Sequence, residues 1–102
     1  MTYRFEISER ARADADEAYA WIAQRSLEQA ERWYQGLFEQ IETLTSHPLL
    51  CPVAAEDDKF PEEIREMLYG KRHNKYRIVF TIRDDTVVVL YVRHVARDEI
   101  ES

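Results

Sequence analysis

Arginines recur among apolar residues in the last third of this chain. Arg65 lies in Ile64-Arg65-Glu66-Met67-Leu68-Tyr69-Gly70-Lys71, Arg77 in Lys75-Tyr76-Arg77-Ile78-Val79-Phe80, and Arg93 and His94 close the run that begins at Val87. Arg97 follows three residues later. Guanidinium groups bind phosphate or carboxylate through paired N–H donors and stay charged at any physiological pH. Histidine is the side chain that exchanges a proton near neutrality. Cleavage of an RNA backbone needs a 2′-hydroxyl deprotonated, the phosphorane charge stabilised and the leaving oxygen protonated. Arginines supply the middle task, and His94 is the residue in this region suited to the other two. The same cations without proton chemistry form a docking surface for an acidic or anionic partner.

Each of these residues also has an ordinary structural reading. Arg77 can form a cross-sheet ion pair with Glu66. His94 can be a strand-end residue bonded to a backbone carbonyl or to a partner side chain. The basic run Lys71-Arg72-His73-Asn74-Lys75 reads as a solvated loop, or as the place where an acidic tail or nucleic acid is met, and His73 as a loop residue within it. Arg93 falls on the strand face opposite His94, which favours a structural role. Cys51, between Leu50 and Pro52, is the one cysteine, so it cannot form an intrachain disulfide and reads as a small packing residue. No metal-ligand spacing, phosphate-cradling glycine loop or Ser-His-Asp arrangement is present, and no cofactor or metal is expected.

The elements that must position these groups are readable from periodicity. Residues 2–7 alternate as a strand, with Tyr3, Phe5 and Ile7 on one face. Ser8 opens a helix over 9–24, in which Ala11, Ala15, Ala18, Tyr19 and Ile22 form the apolar stripe. Ser26 and Gln29 match a capping box, and a second helix runs to near His47, where Pro48 disfavours helical geometry. Its stripe is Ala30, Trp33, Tyr34, Leu37, Phe38, Ile41 and Leu44, so Trp33 reads as core. Gly36 within it costs about 1 kcal/mol relative to alanine. The short link between the helices predicts an antiparallel hairpin. Residues 48–61 hold all three prolines and Glu56-Asp57-Asp58, and read as a surface loop.

The last third then reads as a three-stranded antiparallel meander, with Asp84-Asp85 as a two-residue turn between strands 75–83 and 86–94. That turn pairs residues 83 with 86, 81 with 88, 79 with 90, 77 with 92 and 75 with 94. One face, carrying Ile78, Phe80, Ile82, Val87, Val89 and Tyr91, suits the helices. The other carries Lys75, Arg77, Val79, Leu90, Val92 and His94, a mixture of cation and apolar surface that calls for a cover.

With 102 residues, residues 1–102 are expected to form a single domain. Hydrophobic residues at 45%, with two glycines and three prolines, exclude a disordered or repetitive chain. The start lacks a secretory apolar core and the run Val87–Val92 is too short to span a bilayer, so a cytoplasmic protein without membrane contact is expected. The formal net charge of −6 is unevenly spread: residues 1–63 carry −8, residues 64–97 carry +5, and the last five residues carry −3. Overall acidity opposes indiscriminate nucleic-acid binding, while the cationic region admits a specific partner.

Taken in order, the strand, the helical hairpin, and the blocks Ile-Arg-Glu-Met-Leu-Tyr-Gly-Lys, Lys-Tyr-Arg-Ile-Val-Phe and Val-Arg-His-Val-Ala-Arg-Asp resemble the RelE/ParE superfamily of bacterial toxins over nearly the whole chain. The resemblance implies an α+β fold: an N-terminal strand, an antiparallel helical hairpin, and a three-stranded antiparallel meander. It implies the toxin of a type II toxin–antitoxin, or plasmid stabilisation, system with a cognate antitoxin as partner and DNA contact only through that antitoxin. RelE-like members are ribosome-dependent mRNA endoribonucleases, and on that branch Arg65, Arg77, His94 and Arg97 would be the catalytic set. ParE-like members bind DNA gyrase and carry no assigned hydrolytic site. Met67 stands where RelE-like toxins carry a second strand lysine, and no tyrosine follows Arg97, so the ending looks more ParE-like. On either branch Lys71, Arg72, Lys75, Arg77 and His94 are the expected partner-binding residues.

Overall fold

The computed structural model describes residues 2–72 and 74–96. The elements are β1 (Arg4–Ile7), α1 (Glu9–Ala23), α2 (Leu27–Thr43), β2 (Ile64–Tyr69), β3 (Tyr76–Arg83) and β4 (Thr86–His94), with 3-10 turns at Pro48–Leu50 and Asp57–Lys59. The four strands form one mixed sheet in the order β1-β4-β3-β2, with β1 parallel to β4 and the other pairs antiparallel. The α+β class and the helical hairpin followed by a meander agree with expectation.

Both helices start where their caps predict. Ser8 Oγ accepts from the Ala11 N–H at 3.0 Å, and Ser26 Oγ accepts from the Gln29 N–H at 3.2 Å. Each satisfies an amide that the first turn would otherwise leave without a partner. Ala11, Ala15 and Ala18 of α1, Leu37 and Ile41 of α2 and Leu44 at its C-cap are buried against Tyr76, Ile78, Phe80, Val87, Val89 and Val92 of the sheet. Trp33, Tyr34 and Phe38 pack at the margin of this core. Small alanines on α1 let that helix lie close to β4, and the Ser8 hydroxyl donates to the Leu90 carbonyl at 3.1 Å.

One feature of β4 departs from the sequence reading. The pairs from Arg83↔Thr86 to Phe80↔Val89 follow the expected register, but Val79 then pairs with Tyr91, Ile78 with Val92, Arg77 with Arg93 and Tyr76 with His94. Leu90 is the extra residue of a β-bulge. A one-residue insertion turns every later side chain to the other face. Val92 therefore joins the helix-facing core in place of Tyr91, and His94 moves to the helix side while Arg93 takes the place beside Arg77. The cause is a change of neighbour. β1 pairs β4 only as far as Ile7↔Val89; beyond it the Ser8 N–H donates to the Val89 carbonyl at 3.0 Å and the Val92 N–H donates to Asp14 Oδ2 at 3.1 Å.

Residues 52–60 also depart from a simple surface loop. The Ala54 N–H donates to the Ile64 carbonyl and the Glu66 N–H to the Pro52 carbonyl, so this segment lines the free edge of β2 and then crosses the sheet face opposite the helices. Ala54, Ile64 and Val79 form a second buried cluster there, with Phe60, Leu90 and Tyr91 packed on it. Glu56, expected in solvent, is fully buried.

Gly36 has a steric reason to lie inside α2. A Cβ there would sit 2.3 Å from the Tyr69 hydroxyl oxygen, which donates to the Trp33 carbonyl at 2.8 Å. Alanine gains helix propensity but pushes the phenol off its acceptor. Gly36→Ala is therefore expected to destabilise the fold by about 1–3 kcal/mol in urea denaturation. Adding Tyr69→Phe, which removes the clashing oxygen, should recover part of that loss; an unchanged or greater loss in the double variant contradicts the account.

Candidate partner-binding surface

The structure separates the residues that the sequence reading groups together. Arg77 projects from the outer face of β3, the face turned away from the helices. Its Nη1 and Nη2 meet the two carboxylate oxygens of Glu56 at 2.8 and 2.5 Å, and its Nη2 and Nε meet Glu66 Oε1 at 2.9 and 3.3 Å. Of the Arg77 side chain 13% is exposed, and of Glu56 none. The Glu66 pairing read from the sequence is present, and a second carboxylate, from the strap formed by residues 52–60, completes the cluster. Hydrogen bonding to Glu56 leads the effects that raise the Arg77 pKa above its already high ordinary value, so the group is a fixed cation.

Arg65 faces the helix side at the sheet edge. Its Nη1 donates to the Cys51 carbonyl at 2.6 Å and to the Leu49 carbonyl at 3.3 Å, and its Nη2 pairs with Glu63 at 2.8 Å. It thus clamps the segment that leaves Pro48. His94 lies across β3 from that edge, its ring edge-on to Tyr76 at 5.0 Å, and its Nδ1 accepts from the Ala96 N–H at 3.1 Å. Arg65 and His94 pair with Phe80 and Tyr76, four residues apart along β3, which is about 13 Å of strand. The expected sharing of one face by Arg77 and His94 is therefore corrected: the bulge puts the imidazole on the other side. Arg97 lies outside the described residues.

Lys71, Arg72 and Lys75 are exposed around the β2–β3 connection, with Arg72 at φ 52° and the Lys75 carbonyl accepting from the Val95 N–H at 2.8 Å. They form a cationic end beside a groove lined by Gln29, Arg32, Trp33, Gln40, Leu68, Tyr69, Gly70 and Lys71. Sequence reasoning missed two residues that matter to the outer face, Glu56 and Arg93. The first was hidden in an acidic run with no periodicity, and the second was misplaced by the bulge. Among the described residues no group of three His, Cys, Asp or Glu side chains could hold a metal ion, and no helix is long and apolar enough to cross a membrane.

The molecule is thus a helical hairpin on a mixed four-stranded sheet, with an exposed cationic end and Arg77 held by two carboxylates. The family model described as "ParE toxin of type II toxin-antitoxin system, parDE" matches residues 5–99, and the chain belongs to that family, within the RelE/ParE superfamily. Among solved structures, a chain from the "Chromosomal ParDE TA system from P. aeruginosa" superposes with a TM-score of 0.73 over 92% of this chain and 97% of that one, at 17% identity. That likeness is one of fold. No curated protein sequence matches significantly.

Two measurements check the local chemistry. Arg77→Ala leaves a buried and a half-buried carboxylate uncompensated, and is expected to lower stability by about 3–5 kcal/mol. Pairing Arg77→Met with Glu56→Leu should recover most of that in chemical denaturation. Loss of activity in the alanine variant alone therefore reports unfolding before it reports function. For Cys51, burial pushes the thiol pKa up, with Arg65 opposing as the smaller effect. Alkylation by iodoacetamide near pH 7.5 should run about tenfold or more slower in the folded protein than in urea; equal rates would show an accessible, ionised thiol.

Proposed function

We propose that this chain is a ParE-like toxin that poisons the cell by binding a protein target, DNA gyrase, and that a cognate antitoxin holds it inactive. The reading supposes one domain over residues 1–102, acting in the cytoplasm, where gyrase and ribosomes both lie, without a cofactor. It touches DNA only through the antitoxin. The observation that carries it is the dispersal of the hydrolytic groups. Arg77 holds two carboxylates at 2.5–3.3 Å and would have to exchange them for a phosphate before it could steady a phosphorane. The histidine that would move the proton faces the helices. Met67 lies on the helix-facing side, its sulfur taking a hydrogen bond from Gln40 at 3.6 Å, and offers no charge there.

Lys71, Arg72 and Lys75 are the residues we assign to the partner, since they are exposed cations on a chain that is otherwise acidic. They suit an acidic antitoxin segment. The alternative is a RelE-like ribosome-dependent mRNA endoribonuclease using Arg65, Arg77, His94 and Arg97, which draws on Arg77's place in the superfamily pattern.

Induction of the gene without its neighbours separates these readings. Inhibited supercoiling by purified gyrase, DNA breaks and a DNA-damage response are expected. Message cleavage that depends on ribosomes, with gyrase unaffected, would replace this reading with the nuclease. Unimpaired growth with folded protein present would mean a toxin fold that no longer poisons.

A further inference from the structure

The outer sheet face holds a guanidinium whose buried nitrogen is unmatched among the described residues. Arg93 stands directly across from Arg77, and like charges in that position repel. The charge of Arg77 is met by Glu56 and Glu66, whereas Nε of Arg93 is buried with no hydrogen-bond partner among the described residues. Nε is closed to solvent, so an incoming acceptor would meet the accessible part of this partly exposed side chain, and Nε would report it. A second cation is at hand. The guanidinium carbon of Arg93 lies 6.0 Å from the centre of the Tyr91 ring, and that of Arg10, from the start of α1, lies 5.4 Å from the same ring. Asp14 meets Arg10 at Nε, 3.1 Å away, and gives its other oxygen to the Val92 N–H. Arg10 remains half exposed. Beside Tyr91 the surface is apolar, with Phe60 at 6.2 Å and Leu90 packed on the same cluster.

We propose that Arg93 and Arg10, gathered at the Tyr91 ring, seat a carboxylate of an acidic peptide segment whose apolar neighbours pack on Phe60 and Leu90. The planar fork of arginine suits a carboxylate, and the apolar margin suits the side chains that flank one in a peptide. Charge favours a peptide over nucleic acid. Glu56 and Glu66 lie along the same face and the whole chain carries −6, so a run of phosphates meets repulsion where a single carboxylate meets local cation. The proposal is independent of which target the toxin has.

The test follows the Arg93 Nε–Hε signal in arginine-labelled protein by NMR, assigned through its loss in Arg93→Lys. The probes are the peptide acetyl-Leu-Glu-Phe-Glu-amide, its glutamine analogue, and inorganic phosphate. We expect a saturable shift with the glutamate peptide, little with the analogue, and a midpoint raised about threefold by Arg10→Ala, a residue exposed enough to replace without disturbing the core. Equal responses to the glutamate and glutamine peptides, or a signal that ignores both, would overturn the proposal. A response to phosphate in the absence of any response to peptide would overturn the peptide occupant and assign the seat to phosphate-bearing ligands. If Arg93→Lys fails to fold, Arg93→Gln supplies the assignment, and the same titrations decide the matter.

Discussion

The cluster of Arg77, Glu56 and Glu66 is the interaction on which the outer half of this molecule depends. Arg77 is the second residue of β3, a strand with neighbours on both sides, and its charge cannot be withdrawn because guanidinium does not deprotonate in proteins. A cation in that position must either be left in water or be given carboxylates. The chain does the second, by drawing residues 52–60 across the sheet so that both carboxylate oxygens of Glu56 reach Arg77. Burying the ions is costly, and their mutual attraction repays it only when geometry is good and the remaining donors are satisfied. Here the guanidinium donates four hydrogen bonds to two carboxylates, which meets that condition. The strap is then fixed from both ends, since Arg65 holds the carbonyls of Leu49 and Cys51 on the far side of β2.

That fixation has a structural return. β2 is an edge strand, and edges with unpaired amides and carbonyls invite other chains. Pairing of Pro52 and Ala54 with Ile64 and Glu66 closes the first half of that edge, and leaves the second half, near Leu68 and Gly70, beside the cationic connection. The other end of the sheet is handled differently. β1 closes β4 as far as Val89, and the start of α1 takes over with Ser8 and Asp14. The hand-over coincides with the bulge at Leu90, so the feature that reorients Tyr91, Val92, Arg93 and His94 is placed where the partner of β4 changes from strand to helix.

The division between what could and could not be read from the sequence follows from these interactions. Both helices, their serine caps and the apolar stripes were legible because caps and 3.6-residue periodicity are local. The Asp84-Asp85 turn was legible for the same reason, and with it the register up to Phe80 and Val89. The bulge was not, because Val87-Val88-Val89-Leu90-Tyr91-Val92 is apolar at every position and satisfies either register equally well. Its location is decided by β1 and α1, more than seventy residues away in sequence. Glu56 was illegible for a related reason. Within Glu56-Asp57-Asp58 nothing local distinguishes the one carboxylate that a distant arginine will bury.

For function, the consequence is that charge in this protein is sorted by exposure and pairing as well as by sign. Arg65 and Arg77 carry charge that is already answered inside the molecule, and reorganising either would loosen the strap. Lys71, Arg72 and Lys75 are long, exposed side chains free to meet a partner at little cost to the fold. Their counterpart is the helical hairpin, whose solvent side is rich in Asp16, Glu17, Glu28, Glu31 and Glu42. A surface divided in this way orients an approaching partner by its own charge pattern, and speeds encounter more than it deepens affinity. Tight holding must then come from the apolar and backbone groups between the charged regions.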